Sequence, residues 1–175
     1  METMITDEML ALVNRTMREA TSYPIGANDI RRWAIAIYYP EVPPRLFWDE
    51  EYAATTRWGG IVAPEEFNPF AWATQDPPLS EQRATGGVGR WGHFESVFDI
   101  EPPSYRAVLQ SRVVANYSPV RMRPGDVIHS ADRISEYFER EGKMGLQLYT
   151  TISVDFFNQR DEWIKRLDTV FVRYR

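Results

Sequence analysis

Cysteine is absent from the 175-residue sequence, which removes disulfides, thiolate nucleophiles and Cys-based zinc sites together. Cysteine-protease and thiol-redox chemistry are excluded, and the composition fits a reducing, cytoplasmic setting. Histidine is nearly as scarce, with only His93 and His129, so every mechanism that needs an imidazole reduces to those two positions. Neither has carboxylates around it at ligand spacing, and no metal site is expected. No stretch approaches the roughly 18 uninterrupted apolar residues of a membrane span, and the N-terminal METMITDEML is acidic where a signal peptide is basic, so an unprocessed protein with no membrane partner is expected. Basic charge is in deficit, 20 Lys and Arg against 25 Asp and Glu for a net −5. That balance gives no long-range attraction to polyphosphate and argues against nucleic acid. A Gly-x-Ser-x-Gly nucleophile elbow is missing, and Gly86-Gly87-Val88-Gly89 fits neither a Walker loop nor a dinucleotide fingerprint.

What is present is an apolar fraction of 43% with 14% aromatic residues, including 6 Trp, 9 Tyr and 9 Phe. The length suits one domain over 1–175 with one core. The aromatic excess points to a large apolar pocket, a subunit interface or a Trp-rich core. Met9, Leu12, Val13, Thr16 and Met17 fall on one helical stripe, which predicts an amphipathic N-terminal helix over 6–19 within the first 20 residues. Asn28 predicts the cap of a second helix through Ile30, Trp33, Ala34 and Ile37, ending before Pro40. Asp49 predicts the cap of a short third helix, and Pro64 the first turn of a buried helix over 64–75. Residues 76–91, rich in Pro and Gly, predict an exposed loop.

The second half alternates β-branched and aromatic residues in four runs, Val108–Tyr117, Asp126–Phe138, Leu146–Phe157 and Trp163–Tyr174. Short turns between them predict an antiparallel meander, and helices followed by strands predict an α+β fold. In the third run Leu146, Leu148, Thr150, Ile152, Val154 and Phe156 share a face. In the last, Ile164, Val170, Val172 and Tyr174 share one that Arg166 and Asp168 interrupt.

The ordered segments resemble those of MaoC-like acyl dehydratases of the N-terminal type. Asn28-Asp29-Ile30-Arg31-Arg32-Trp33-Ala34 is similar to the first helix of that family, Asp49-Glu50-Glu51-Tyr52-Ala53 to its acidic helix start, and Ile61-Val62-Ala63-Pro64 to the entry of its central helix. Ser118–Ile128 (SPVRMRPGDVI) is the most distinctive match, and Phe157-Asn158-Gln159 agrees. The resemblance implies a single hot-dog fold, an antiparallel sheet wrapped around a central helix, here with an extra N-terminal helix. It also implies enoyl-CoA hydratase or 3-hydroxyacyl-thioester dehydratase chemistry. No cofactor is implied, because the acyl-CoA or acyl-carrier thioester is itself the substrate.

Catalytic halves of that family carry a dyad in a Gly-Asp-x-Asn-Pro-x-His pattern ahead of the acidic helix start, and together the pair handles the water and the α-carbon proton. Here the stretch reads Tyr38-Tyr39-Pro40-Glu41-Val42-Pro43-Pro44-Arg45-Leu46-Phe47-Trp48-Asp49, with Phe47 in the His position. The expectation is therefore a subunit without its own dyad, shaping an acyl pocket while a dyad-bearing partner completes a heterodimer or heterotetramer. The substrate-binding candidates are Tyr39, Phe47, Ala63, Pro64, Phe67 and Phe70, with Arg45, Arg90, Arg121 and Arg123 as candidates for coenzyme phosphates. Two alternatives stay open. One is a self-sufficient homodimeric hydratase or thioesterase using a displaced group, for which His93 and Glu41 are the weak catalytic candidates; the other is a non-enzymatic acyl-CoA-binding module.

Overall fold

In the computed structural model, residues 3–71, 93–143 and 145–175 are described. The helices are α1 (Asp7–Leu10), α2 (Ala27–Tyr38) and α3 (Glu50–Ala54), with 3-10 turns at Arg45–Phe47 and Phe94–Phe98. The strands are β1 (Thr16–Thr21), β2 (Ala107–Tyr117), β3 (Ile128–Gly142), β4 (Gly145–Asn158) and β5 (Trp163–Tyr174), in one antiparallel sheet of order β1-β3-β4-β5-β2.

The N-terminus departs from the expected helix over 6–19. Thr6 caps only four residues, Asn14 turns to a φ of 68°, and the chain enters β1 beside β3. The helix closes at Ala11, and Asn, which tolerates the left-handed conformation, ends the turn that follows and redirects the chain into the strand. The apolar stripe is still used, since Met9 and Leu12 are buried with Ile134, Tyr137 and Leu148. Helix α2 starts two residues earlier than expected, capped at Gly26, whose N–H donates to Asp29 Oδ2 at 3.1 Å; Asn28 lies inside the first turn and is not the cap.

The meander is corrected as well. Strands β3, β4 and β5 follow one another as hairpins, but β2 pairs with β5 at the far edge. The Arg123–Asp126 turn is thus a crossover, not a hairpin. It is fastened where Gly125, at a φ of 88°, donates to Ile25 O at 2.8 Å and where Asp126 Oδ2 accepts from Arg123 N.

Opposed residues of an antiparallel pair share a face. By register, Leu148, Thr150, Ile152, Val154 and Phe156 of β4 lie opposite Arg173, Phe171, Thr169, Leu167 and Lys165 of β5. This is the face on which α2 rests, for Ile30 and Ala34 cluster with Ile128, Phe156 and Ile164. Val170 and Val172 therefore lie on the opposite, outer face, opposed to Thr151 and Tyr149. Arg166 and Asp168 belong to that outer face too. There Arg166 Nε and Nη2 and Arg133 Nη1 hold the Asp155 carboxylate at 2.7, 3.1 and 2.6 Å, and Ser153 Oγ donates to Asp168 at 2.5 Å. Burial opposes the charge of Asp155, but the bonds from Arg166, Arg133 and Trp163 outweigh it and hold the carboxyl below its usual range.

Candidate functional site

Segment 61–67 forms the floor of the α2 side, and the expected helix over 64–75 is absent from 64–71; 72–75 lie outside the described residues. The reason is chemical. A helix starting at Pro64 needs its early carbonyls as acceptors, and here side-chain cations take them. Lys165 Nζ donates to Glu65 O at 3.0 Å and Phe67 O at 2.8 Å, while Arg121 Nη2 donates to Ala63 O at 3.0 Å and Nη1 pairs with Glu65 at 2.5 Å. The backbone of Ala63 also donates to Met122 O at 2.8 Å.

Lys165 is 3% exposed and lies 5.1 Å from the centre of the Phe156 ring. Burial drives its ammonium down from 10.5 to about 8, with Glu66 working the other way and Arg121 adding to the fall. Above it, Phe70 lies 6.2 Å from Phe156, and Trp33 meets Phe67 edge-on at 5.7 Å. A small cavity lies beside this floor, lined by Pro64, Glu65, Tyr117, Arg121, Met122 and Ile164 among others. The Tyr117 hydroxyl there is pushed up by burial and by the charges of Glu66 and Glu65.

A second polar group lies at the other end of the same face. Arg173 and Glu95 are both fully buried and form a bidentate pair at 2.7 and 2.8 Å. Arg173 Nη2 also donates to Thr150 Oγ1 at 2.7 Å, and Tyr137 donates to Glu95 Oε1 at 2.9 Å. Burial first, then the Glu95 charge, raises the Tyr137 hydroxyl far above its ordinary value, so it acts only as a donor. With both carboxylate oxygens engaged, Glu95 is not a free base.

Phe47, Ala63, Pro64, Phe67 and Phe70 are brought together around α2 and the sheet. Tyr39 is not among them, being 82% exposed on the turn beyond α2. Arg45 is not a pocket residue either, because it pairs with Asp49 at 2.7 Å and lies over Tyr52. The Tyr52 backbone N–H and then the Arg45 guanidinium hold the Asp49 carboxyl low, in keeping with its role as the α3 cap. Glu41 is exposed. His93 is half-buried and edge-on to Tyr105 at 5.6 Å, and His129 meets Thr21 Oγ1 at 3.0 Å. Arg121 is spent on the floor, and the Arg123 side chain is half-buried. Arg90 and the expected loop at 76–91 lie outside the described residues.

A five-stranded antiparallel sheet with an apolar floor on the helix-bearing face is the architecture of the hot-dog dehydratases and hydratases. The MaoC-like dehydratase from Rhodospirillum rubrum is 17% identical, with a TM-score of 0.52 over 90% of this chain and 91% of that one. The ChsH1–ChsH2 complex from Mycobacterium tuberculosis reaches 0.59 at 17% identity, covering 90% and 83%, and the C-terminally truncated HadBC 3R-hydroxyacyl-ACP dehydratase complex from the same organism reaches 0.52 at 14%, covering 91% and 99%. Residues 11–167 match the family model described as FAS1-like, dehydratase domain region, and the chain belongs to that MaoC-like dehydratase family. A comparison with curated proteins finds no match.

Proposed function

We propose that this chain is the pocket-shaping subunit of a heteromeric enoyl-CoA hydratase or 3-hydroxyacyl-thioester dehydratase whose Asp/His dyad comes from a partner chain. The observation that carries the reading is Phe47. At the position where the resemblance expects the catalytic His stands a phenyl ring 7% exposed, packed in the α2 cluster, and a phenyl ring moves no proton. Three other candidate groups are engaged elsewhere or exposed, which leaves His93 as the alternative that the experiment below tests. Glu41 is exposed, Glu95 is held by Arg173, and His129 is bonded to Thr21 on the outer face.

Two further features support the reading. Heteromeric complexes occur among proteins of similar fold, as the ChsH1–ChsH2 and HadBC structures show for themselves. Among the described residues, strand β2 is a sheet edge of 11 residues with Leu109, Val113 and Tyr117 exposed, paired on one side alone and suited to continuing the sheet into a second subunit. In the hydration direction, water would add its hydroxyl to C3 and a proton to C2 of the enoyl thioester. The partner would move that proton, and the floor of Ala63, Pro64, Phe67 and Phe70 would bind the acyl group. No helix among the described residues is long and apolar enough to cross a membrane, and we place the assembly in the cytoplasm.

The test is hydration of trans-2-enoyl-CoA thioesters by the purified chain alone and co-expressed with a dyad-bearing chain. Turnover only by the complex is the expected result. Turnover by the chain alone, lost in His93→Ala, assigns a displaced catalytic group instead; thioester binding without turnover in either preparation assigns a binding module.

A further inference from the structure

The cavity beside the floor holds about 10 Å³, room for one water-sized group. Pro64 belongs both to its lining and to the apolar floor, and Tyr117, the last residue of β2, carries the lining to the sheet edge, where it is 38% exposed. The cavity thus lies where the floor meets the edge.

The other polar side chains of the lining are already bonded. Arg121 Nη1 meets Glu65 Oε1 at 2.5 Å and Nη2 donates to Ala63 O at 3.0 Å, while Ser118 Oγ donates to Trp163 O at 2.7 Å and accepts from Val120 N at 3.0 Å. The Tyr117 hydroxyl differs, for among the described residues it has no hydrogen-bond partner. Burial and the charges of Glu66 and Glu65 keep its proton in place, so it is a donor that lacks an acceptor.

Its position relative to the floor is fixed. Tyr117 stands opposite Lys165 in the β2–β5 ladder, and Lys165 Nζ holds Glu65 O and Phe67 O at 3.0 and 2.8 Å. One strand pair therefore sets the spacing between the hydroxyl and the segment that carries Pro64 and Phe67. A ligand with a hydrocarbon chain over that segment and a single oxygen at the head of the chain satisfies both. A thioester carbonyl is such an oxygen.

Resting on the reading of this floor as the acyl site, we propose that Tyr117 is a catalytic residue that donates a hydrogen bond to the thioester carbonyl oxygen of the substrate. As the water oxygen bonds to C3, the C2–C3 π electrons move toward the carbonyl and negative charge gathers on its oxygen, where a placed O–H donor stabilises it. The carbonyl re-forms as C2 takes the proton that the partner's dyad removed from the water. Proton transfer comes from one chain and charge stabilisation from the other.

The test uses the complex co-expressed with a dyad-bearing chain and trans-2-decenoyl-CoA as the probe. Tyr117→Phe, which removes only the hydroxyl, is expected to lower kcat about a hundred-fold while KM stays within a few-fold of wild type. Infrared difference spectra of decanoyl-CoA labelled with carbon-13 at the carbonyl give a readout that packing alone does not move. The carbonyl stretch is expected to fall in frequency on binding to wild type and to fall less in Tyr117→Phe. Thermal unfolding and co-purification check that the variant folds and assembles; if assembly is lost, the infrared comparison on the chain alone decides. Wild-type kcat in Tyr117→Phe, or the same carbonyl band in both proteins, overturns the inference and leaves the pocket reading standing. A wild-type complex that binds thioester without turnover, or binds none, overturns both.

Discussion

Two buried cations set the chemistry of the helix-bearing face at the residue scale. Lys165 carries opposing contributions. The penalty for burying its ammonium, on the order of 3 kcal/mol from the fall to about 8, is offset by hydrogen bonds to two carbonyls that would otherwise cost about 1–3 kcal/mol each. Lys165→Met should therefore change global stability at pH 7 by less than about 2 kcal/mol, yet loosen segment 61–67. Hydrogen exchange at the Phe67 and Ala63 amides, now bonded to Pro64 O and Met122 O, should accelerate. Because the folded value lies below the unfolded one, the unfolded chain holds the extra proton between about pH 8 and 10.5. Wild-type stability relative to Lys165→Met should thus rise with pH across that window; a flat difference in urea titrations would refute the assignment.

The Arg173–Glu95 pair behaves differently because both partners are fully buried. Arg173→Met strands the Glu95 charge and should cost about 3–5 kcal/mol, whereas Arg173→Met with Glu95→Leu should recover much of it. Denaturant unfolding of the two variants makes the comparison. Asp132 has the reverse sign to a salt-bridged acid. Its carboxyl is raised by burial, so the folded state holds the proton more tightly and stability falls as pH rises above about 3.8. Asp132→Asn should raise the melting temperature at pH 7 and lose that advantage as the pH approaches 4.

Elements divide by how local their signals are. Strand β5 begins and ends where the alternation of Trp163–Tyr174 predicts, and β3 and β4 are off by no more than a few residues at either end, because hydrophobic alternation is a local record of a half-buried sheet. The α3 cap at Asp49 is equally local. What sequence reading missed depends on partners distant in the chain. The stripe over residues 9–17 satisfies a helix and a strand alike, and pairing with β3 decides between them. The helix expected from Pro64 yields to Lys165, about a hundred positions away. The interrupted face of β5 held the clue to Lys165 and Arg173: treating Val170 and Val172 as the outer row leaves two cations inward, and inward cations need partners. The Gly26 cap was hidden because its acceptor, Asp29, lies one residue past the more conventional Asn28. Asp29→Ala should cost about 1 kcal/mol by removing that bond, while Asn28→Ala should cost little; circular dichroism melts separate the two.

For the whole molecule, the open side of β2 is the feature the fold itself does not resolve. A row of N–H and C=O groups left unpaired among the described residues, beside exposed Leu109, Val113 and Tyr117, invites pairing, and the proposed reading requires a second chain to supply the dyad. Both requirements are met if the partner's edge strand extends this sheet. Lysines on an edge strand oppose such pairing through charge and desolvation without touching the β2–β5 ladder. Leu109→Lys with Val113→Lys should therefore leave melting within a few degrees of wild type, because both side chains are about half exposed. The same double variant should abolish co-purification with the dyad-bearing chain and, with it, enoyl-CoA hydration. Retained assembly at wild-type stoichiometry would place the partner on another surface, whereas lost assembly with an unchanged melt ties activity to this edge.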